Sequence, residues 1–203
     1  SARGNGLTFA NAAGGSGGSL WISAASLAGN GLFTVGGGNG DCCYSSGGGG
    51  GRLAAYYTVS GFTGTFDTGG GAGYTYGGSG TLYLKPTASR GTIIIDSNDV
   101  STSGRTELSG ALDFDANLIV RRRGLLSHPA LQSLDLRLRG DVTIDSTSAI
   151  SVQGRGYFDS EGPGAGGSGE SVAAGGGHGG LGGDSIASFP SGGPGQTYGL
   201  EDG

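Results

Sequence analysis

The sequence predicts an all-β chain wound as a solenoid of the parallel β-helix kind, and three observations carry that prediction. Apolar residues fall in short runs, β-branched or aromatic, separated by Gly, Ser, Asn and Asp. No helical spacing of apolar residues persists beyond a turn before glycine interrupts it. A block also recurs: "GGSGGSLWISAASLAGNGLFTV" (14–35) resembles "GGSGTLYLKPTASRGTIIID" (77–96). In both, a Gly-Ser-Gly turn launches an apolar strand, a polar corner follows, and a second apolar strand comes after a glycine. Paired short strands recurring in coils of variable length mark a solenoid.

Taken in order, the expected strands cover 20–22, 32–35, 53–57, 81–84, 92–95, 118–120, 134–138, 142–144 and 150–152. The launch at 14–19 leads to Leu20, Trp21 and Ile22, with alternate residues facing a core. "GGGGGRLAAYY" (47–57) repeats the launch, followed by a glycine corner and "GTFD" (64–67). Residues 1–97 thus read as glycine-rich coils and 98–160 as regular strand-turn alternation. Residues 161–203 read as a glycine-rich insert and its continuation. All belong to one solenoid segment, 1–203. Glycine serves tight corners at positive φ or lets neighbouring backbones approach closely. Runs such as 47–51 are either packed polyglycine or mobile excursions, and the sequence does not choose between them.

Fifty of the 203 residues are glycine, a level that would argue disorder, but 34% are hydrophobic and gathered into runs. The net charge of −5 and pI near 4.8 argue against a nucleic-acid partner, which calls for a basic face. Arg121, Arg122 and Arg123 form the only basic run and read as a solvated strand end. No segment reaches the ~20 apolar residues of a membrane helix, so no membrane insertion is expected. The opening "SARGNG" has no leader pattern, and with the abrupt "TYGLEDG" end it reads as a piece of something longer.

Cys42 and Cys43 are adjacent, and adjacent cysteines rarely pair, because a trans peptide sets their Cα atoms at ~3.8 Å where a disulfide wants ~5.5 Å. The first reading is an interchain disulfide in an oxidising compartment; a buried reduced pair is the second, and a metal the third.

Candidates for chemistry are few. His128 and His178 are the only histidines, and no G-x-S-x-G elbow accompanies them. Asp113 and Asp115 share one strand face, as the acids of a glycosidase would, yet alternation with Leu112 and Phe114 inward explains them. "GGLGGDSI" (179–186) holds one calcium-type nonapeptide with Asp184, and a single copy does not make a site. No catalytic, cofactor or metal residue is therefore assigned. Tyr56, Tyr57, Tyr74 and Tyr76 are the candidates for contact with a surface glycan.

Taken together, "GGSGGSLWI" (14–22), "GGGGGRLAAYY" (47–57), "LRLRGDVTIDSTSAISVQGRGY" (136–157) and the pair "GPGAGG" (162–167) and "GGGHGGLGG" (175–183) resemble glycine-rich β-helix repeat proteins of cell surfaces and secreted fibres. "RRRGLLSHPA" (121–130) and the cysteine pair stand outside that pattern. The resemblance implies a right-handed parallel β-helix with glycine-rich loops or polyglycine inserts. It also implies a non-catalytic stalk or filament role outside the cell or at its surface. The expectation is a structural segment of an extracellular fibre, appendage or adhesin stalk, without cofactors, assembling with copies of itself or adjacent segments of the same parent chain. A surface-glycan-binding module is the alternative, and a polysaccharide-acting enzyme a more distant one.

Overall fold

A computed structural model of the chain describes residues 12–41, 44–100, 104–158, 161–168, 172–185 and 193–199. The described residues form strands and turns and no helix, so the all-β expectation holds. They divide into two compact units, one of residues 1–129 and 133–152, the other of 130–132 and 153–203.

The first unit holds every strand. Its largest sheet runs in the order β1 (Ser19–Gly29), β3 (Arg52–Phe62), β5 (Thr81–Pro86), β6 (Gly91–Asp96), β9 (Ala116–Arg121) and β12 (Val142–Ile144). Every neighbouring pair in it is parallel except β5 with β6, which form an antiparallel hairpin. The smaller sheets are wholly parallel. They pair β2 (Leu32–Thr34) with β4 (Thr65–Asp67), and β8 (Gly110–Phe114) with β11 (Leu134–Leu138). The third sets β10 (Leu125–Ser127) between β7 (Thr106–Glu107) and β13 (Ala149–Ile150).

Parallel pairing in register stacks like on like. Leu20, Leu53, Leu82, Ile94 and Ile119 lie in one row across the large sheet, and Phe33 stacks on Phe66 at 5.5 Å. These rows form a core of Val35, Leu53, Ala55, Leu82 and Ile94 on one face of the sheet. The next row, Trp21, Ala54, Tyr83, Ile93, Leu118 and Val142, points to the other face. There Ile93, Ile95, Ala116, Leu118, Val120 and Leu126 form a second core, with Phe114, Leu136 and Leu138 packed on it. Strand β6, "GTIIID", serves both cores, which is why its isoleucines run consecutively instead of alternating with polar residues.

The glycine tracts are packed, which answers the question the sequence left open. Tract 14–17 donates from Gly14 to Ser46 O and from Gly17 to Gly49 O, at 2.9 and 2.8 Å. Gly47 and Gly50 donate to Thr75 O and Gly78 O, both at 2.9 Å. Gly48 and Gly51 bond to Gly38 O and Val35 O, and Gly77 and Gly80 to Gly71 O and Thr68 O. Donors three residues apart bond to acceptors three residues apart, the period of extended polyproline-II backbone. Backbones this close leave no room for side chains: a Cβ on Gly37, Gly47, Gly48 or Gly71 would overlap a neighbour's carbonyl oxygen. None of these glycines has positive φ. Their role is close approach, and the corner role expected for glycine belongs instead to positions such as Gly29, at φ 108°.

In the second unit the same spacing recurs. Ala174 and Gly177 donate to Gly167 O and Gly164 O, and Gly195 and Tyr198 donate to Gly175 O and His178 O. The tract expected as an insert is therefore hydrogen-bonded along its described length.

Candidate functional site

Two features of the first unit present unused binding capacity. One is the pair of outer strands. Among the described residues, β1 is bonded along one edge only, to β3, and β12 along one edge only, to β9. Ile144 on β12 and Ile150 on β13 are exposed. Open edges with apolar residues beside them are templates for further strand addition.

The other is a cleft on the sheet face that carries the second core. Strands β8 and β11 cover that face over β6 and β9 but leave it bare over β1 and β3. Trp21 is consequently 69% exposed, unusual for so large an apolar group. Its ring stacks on Tyr56 at 4.5 Å and 28°, Tyr56 meets Tyr83 edge-on at 5.8 Å, and Tyr83 lies 6.5 Å from Phe114. Small Ala54, in register between Trp21 and Tyr83, leaves the space over which Tyr56 folds. The line of rings runs into a cavity of about 340 Å³. Arg52, Thr81, Tyr83 and Ile93 line one side of it, and Glu107, Leu108, Ser109, Leu112 and Phe114 the other. Burial, with the neighbouring Tyr56 and Asp115 adding to it, pushes the Tyr83 hydroxyl above its ordinary range, so it stays a neutral donor.

Of the expected glycan contacts, only Tyr56 joins this cleft. Tyr57, its neighbour, points to the opposite face and packs on the first core. Tyr74 is exposed elsewhere and faces Tyr44 at 6.3 Å, and Tyr76 is exposed without joining the line of rings. Tyr83 belongs to the tyrosine cluster of the N-terminal half that the sequence offers for sugar contact, whereas Trp21 and Phe114 were not singled out as contacts. Alternation places them on the correct face, but nothing local says where the covering layer stops. Cys42 and Cys43 lie outside the described residues.

No protein-family model, curated protein or solved structure matches the chain.

The acids weighed for catalysis are engaged in ion pairs. Asp113 meets Arg139, and Asp115 meets Arg90 at 2.8 Å; the Arg90 guanidinium holds the Asp115 carboxyl below its ordinary range. His128 Nδ1 lies 2.7 Å from Pro129 O, and His178 sits edge-on to Tyr198 at 4.5 Å. Among the described residues no three His, Cys, Asp or Glu side chains gather where they could hold a metal ion.

The basic run is built into a polar spine. Turns 97–100 and 121–124 each close with a bond from the fourth N–H to the first carbonyl. Their central residues Asn98, Asp99, Arg122 and Arg123 all have positive φ, the signature of type I′ turns. Asp96 stands in register with Arg121, and Asp145, one residue past β12, donates its N–H to Val120 O at 3.1 Å. Asp96, its side chain 10% exposed, accepts from Arg121 Nε at 2.8 Å, from Arg122 through both oxygens, and from Asn98 N. Burial alone would raise the Asp96 carboxyl, but the Arg122 guanidinium, the Asn98 N–H and Arg121 outweigh it and hold the group below its ordinary range. Asp145 is held low mainly by the Arg122 backbone N–H.

A lowered carboxyl stabilises the fold above its unfolded value of about 3.9, and that stability is lost as pH falls through the lower folded value. Urea unfolding is therefore expected to show a loss of stability below about pH 4 that Asp96→Asn reduces. At pH 7 the variant is expected to be weaker by about 1.5–3 kcal/mol, the range for hydrogen bonds to charged groups. Equal acid dependence in both proteins would exclude Asp96 as the group responsible.

Proposed function

We propose that the chain is a segment of right-handed parallel β-helix serving as a structural element of an extracellular fibre, appendage or adhesin stalk, without catalytic activity. It assembles end to end with copies of itself or with adjacent segments of a longer parent chain. The observation that carries this reading is the combination of in-register parallel stacking with open outer strands. Rows such as Leu20–Leu53–Leu82 and the Phe33–Phe66 stack repeat one side chain from layer to layer, and among the described residues β1 ends the row with one edge unpaired. Thr34 lies opposite Asp67, 33 positions later, as one coil of a solenoid would place them. Edge contacts of this head-to-tail kind do not close on themselves, and so they give filaments. Cys42 and Cys43, without a third cysteine in the sequence, fit an interchain bond that would lock such contacts in an oxidising setting.

Negative-stain electron microscopy of the protein, with and without reductant, tests the reading. Fibres with a regular axial repeat are expected, thinning or dispersing in reductant if the cysteines bridge chains. Small separate particles in both conditions would overturn it.

A further inference from the structure

The second unit holds a cavity of its own, about 280 Å³ in volume, and it stands independently of the fibre reading. We propose that it binds the quaternary ammonium group of a choline-type ligand, with Tyr157 and Phe158 as walls and Glu161 as the counter-charge.

Short segments joined by backbone bonds build the site. The Glu161 N–H donates to Phe158 O at 3.1 Å, closing a turn whose two ends both line the cavity. Gly177 N donates to Gly164 O at 2.8 Å and Tyr198 N to His178 O at 2.7 Å, which brings His178 and Tyr198 into the same lining. Tyr198 lies 6.1 Å from Tyr157 with the two rings inclined at 60°, so they form angled walls and not a closed stack. Glycine makes room for both: a Cβ on Gly162 would overlap the Tyr157 ring, and one on Gly164 the Tyr198 ring.

Three observations name the occupant. The first is the pair of open rings. Tyr157 is 53% and Phe158 60% exposed, and among the described residues Phe158 meets no other ring. Free ring faces are negative and attract a cation. The second is charge. Glu161 lines the cavity, no Lys or Arg is among its lining residues, and among the described residues Glu161 makes no ion pair. An anion would meet a carboxylate and ring faces, all of which repel it. The third is the balance of size and hydration. The volume falls just below the usual range of ligand cavities and suits a head group. A primary ammonium is strongly hydrated and brings three N–H donors that need acceptors. A trimethylammonium brings none, so it turns its methyl groups to the rings and leaves no donor unpaired.

The test sets choline against its neutral isostere, dimethylbutanol, which has a tert-butyl group where choline has trimethylammonium. Both are titrated into the full chain at neutral pH and followed by calorimetry and ligand-observed NMR. Saturable binding of choline is expected, with the isostere weaker by about fivefold or more. Phe158→Ala, which removes one wall, and Glu161→Gln, which removes the charge and keeps the shape, are each expected to weaken choline by a similar factor. Tyr74→Ala, at an exposed tyrosine of the first unit, leaves it unchanged. Phosphocholine as a further probe tells a free ligand from a head group carried on phosphate, and binding of either supports the cation site. Three results would overturn the proposal: no saturable binding of choline or phosphocholine, an isostere that binds as tightly as choline, or affinity undiminished by both Phe158→Ala and Glu161→Gln. Thermal unfolding of each variant separates lost binding from lost folding, and Glu161→Gln carries the test if Phe158→Ala does not fold.

Discussion

Gly48→Ala is expected to abolish or severely weaken folding of the first unit, while Gly61→Ala leaves it nearly untouched. A Cβ on Gly48 would overlap the Gly15 carbonyl oxygen, 2.5 Å from its carbon and 2.7 Å from Gly14 O. Those atoms are backbone and cannot swing aside. Gly48 also donates to Gly38 O and accepts from Gly71 N, so forcing the tract outward breaks both bonds in a buried place. Each group left unpaired costs about 1–3 kcal/mol, and a total of about 3 kcal/mol or more follows. Gly61 in β3 has nothing within 4 Å of its Cβ direction and no positive φ. Alanine there is expected to change stability by no more than about 0.5 kcal/mol. Urea unfolding of the two variants beside the parent chain decides the matter; similar midpoints for Gly48→Ala and Gly61→Ala would mean that the tracts do not interlock.

The second large effect concerns the two cores. Leu53→Ala empties the first and Leu118→Ala the second, and each is expected to cost about 2–5 kcal/mol. Leu53 is 2% and Leu118 1% exposed, on opposite faces of the sheet. Three strand spacings, about 14 Å, separate β3 from β9. Their effects should add to within about 0.5 kcal/mol in the double variant. The measurement is a double-mutant cycle by urea unfolding. A coupling well above that value would mean that the hairpin of β5 and β6, which carries residues of both cores, transmits strain between them.

The strands were legible in the sequence because alternation is local. Leu20 and Ile22 face the core and Trp21 does not, as a period of two requires. The length of β1 was not legible. It runs on through "SAASLAG" to Gly29, held by pairing with β3 although Leu27 is the only buried side chain in that stretch. The glycine tracts were visible as composition, yet their packing was hidden: the atom that forbids a Cβ on Gly48 belongs to Gly15, 33 positions earlier in the sequence. The positive-φ turn at Arg122 and Arg123 carries no glycine or asparagine to announce it; stacking on Asp145 and Thr147 supplies the reason. For the cleft, the sequence offered Tyr56 and Tyr57 alike; strand pairing sets Tyr56 beside Trp21 and packs Tyr57 on the first core. That Tyr56 would lie beside an uncovered Trp21 depends on β8 and β11 reaching across only part of the sheet, which no residue near Trp21 encodes.

The glycine bundle has one more consequence, in how the protein responds to temperature. Exposing apolar surface raises the heat capacity of unfolding, and exposing peptide groups lowers it. A layer held by backbone bonds, with no side chains inside, exposes mostly peptide on unfolding. Its contribution to that heat capacity is small or opposite in sign to that of the two leucine- and isoleucine-lined cores. The stability curve of this chain is therefore flatter than that of an oil-filled domain of the same length, with less weakening in the cold.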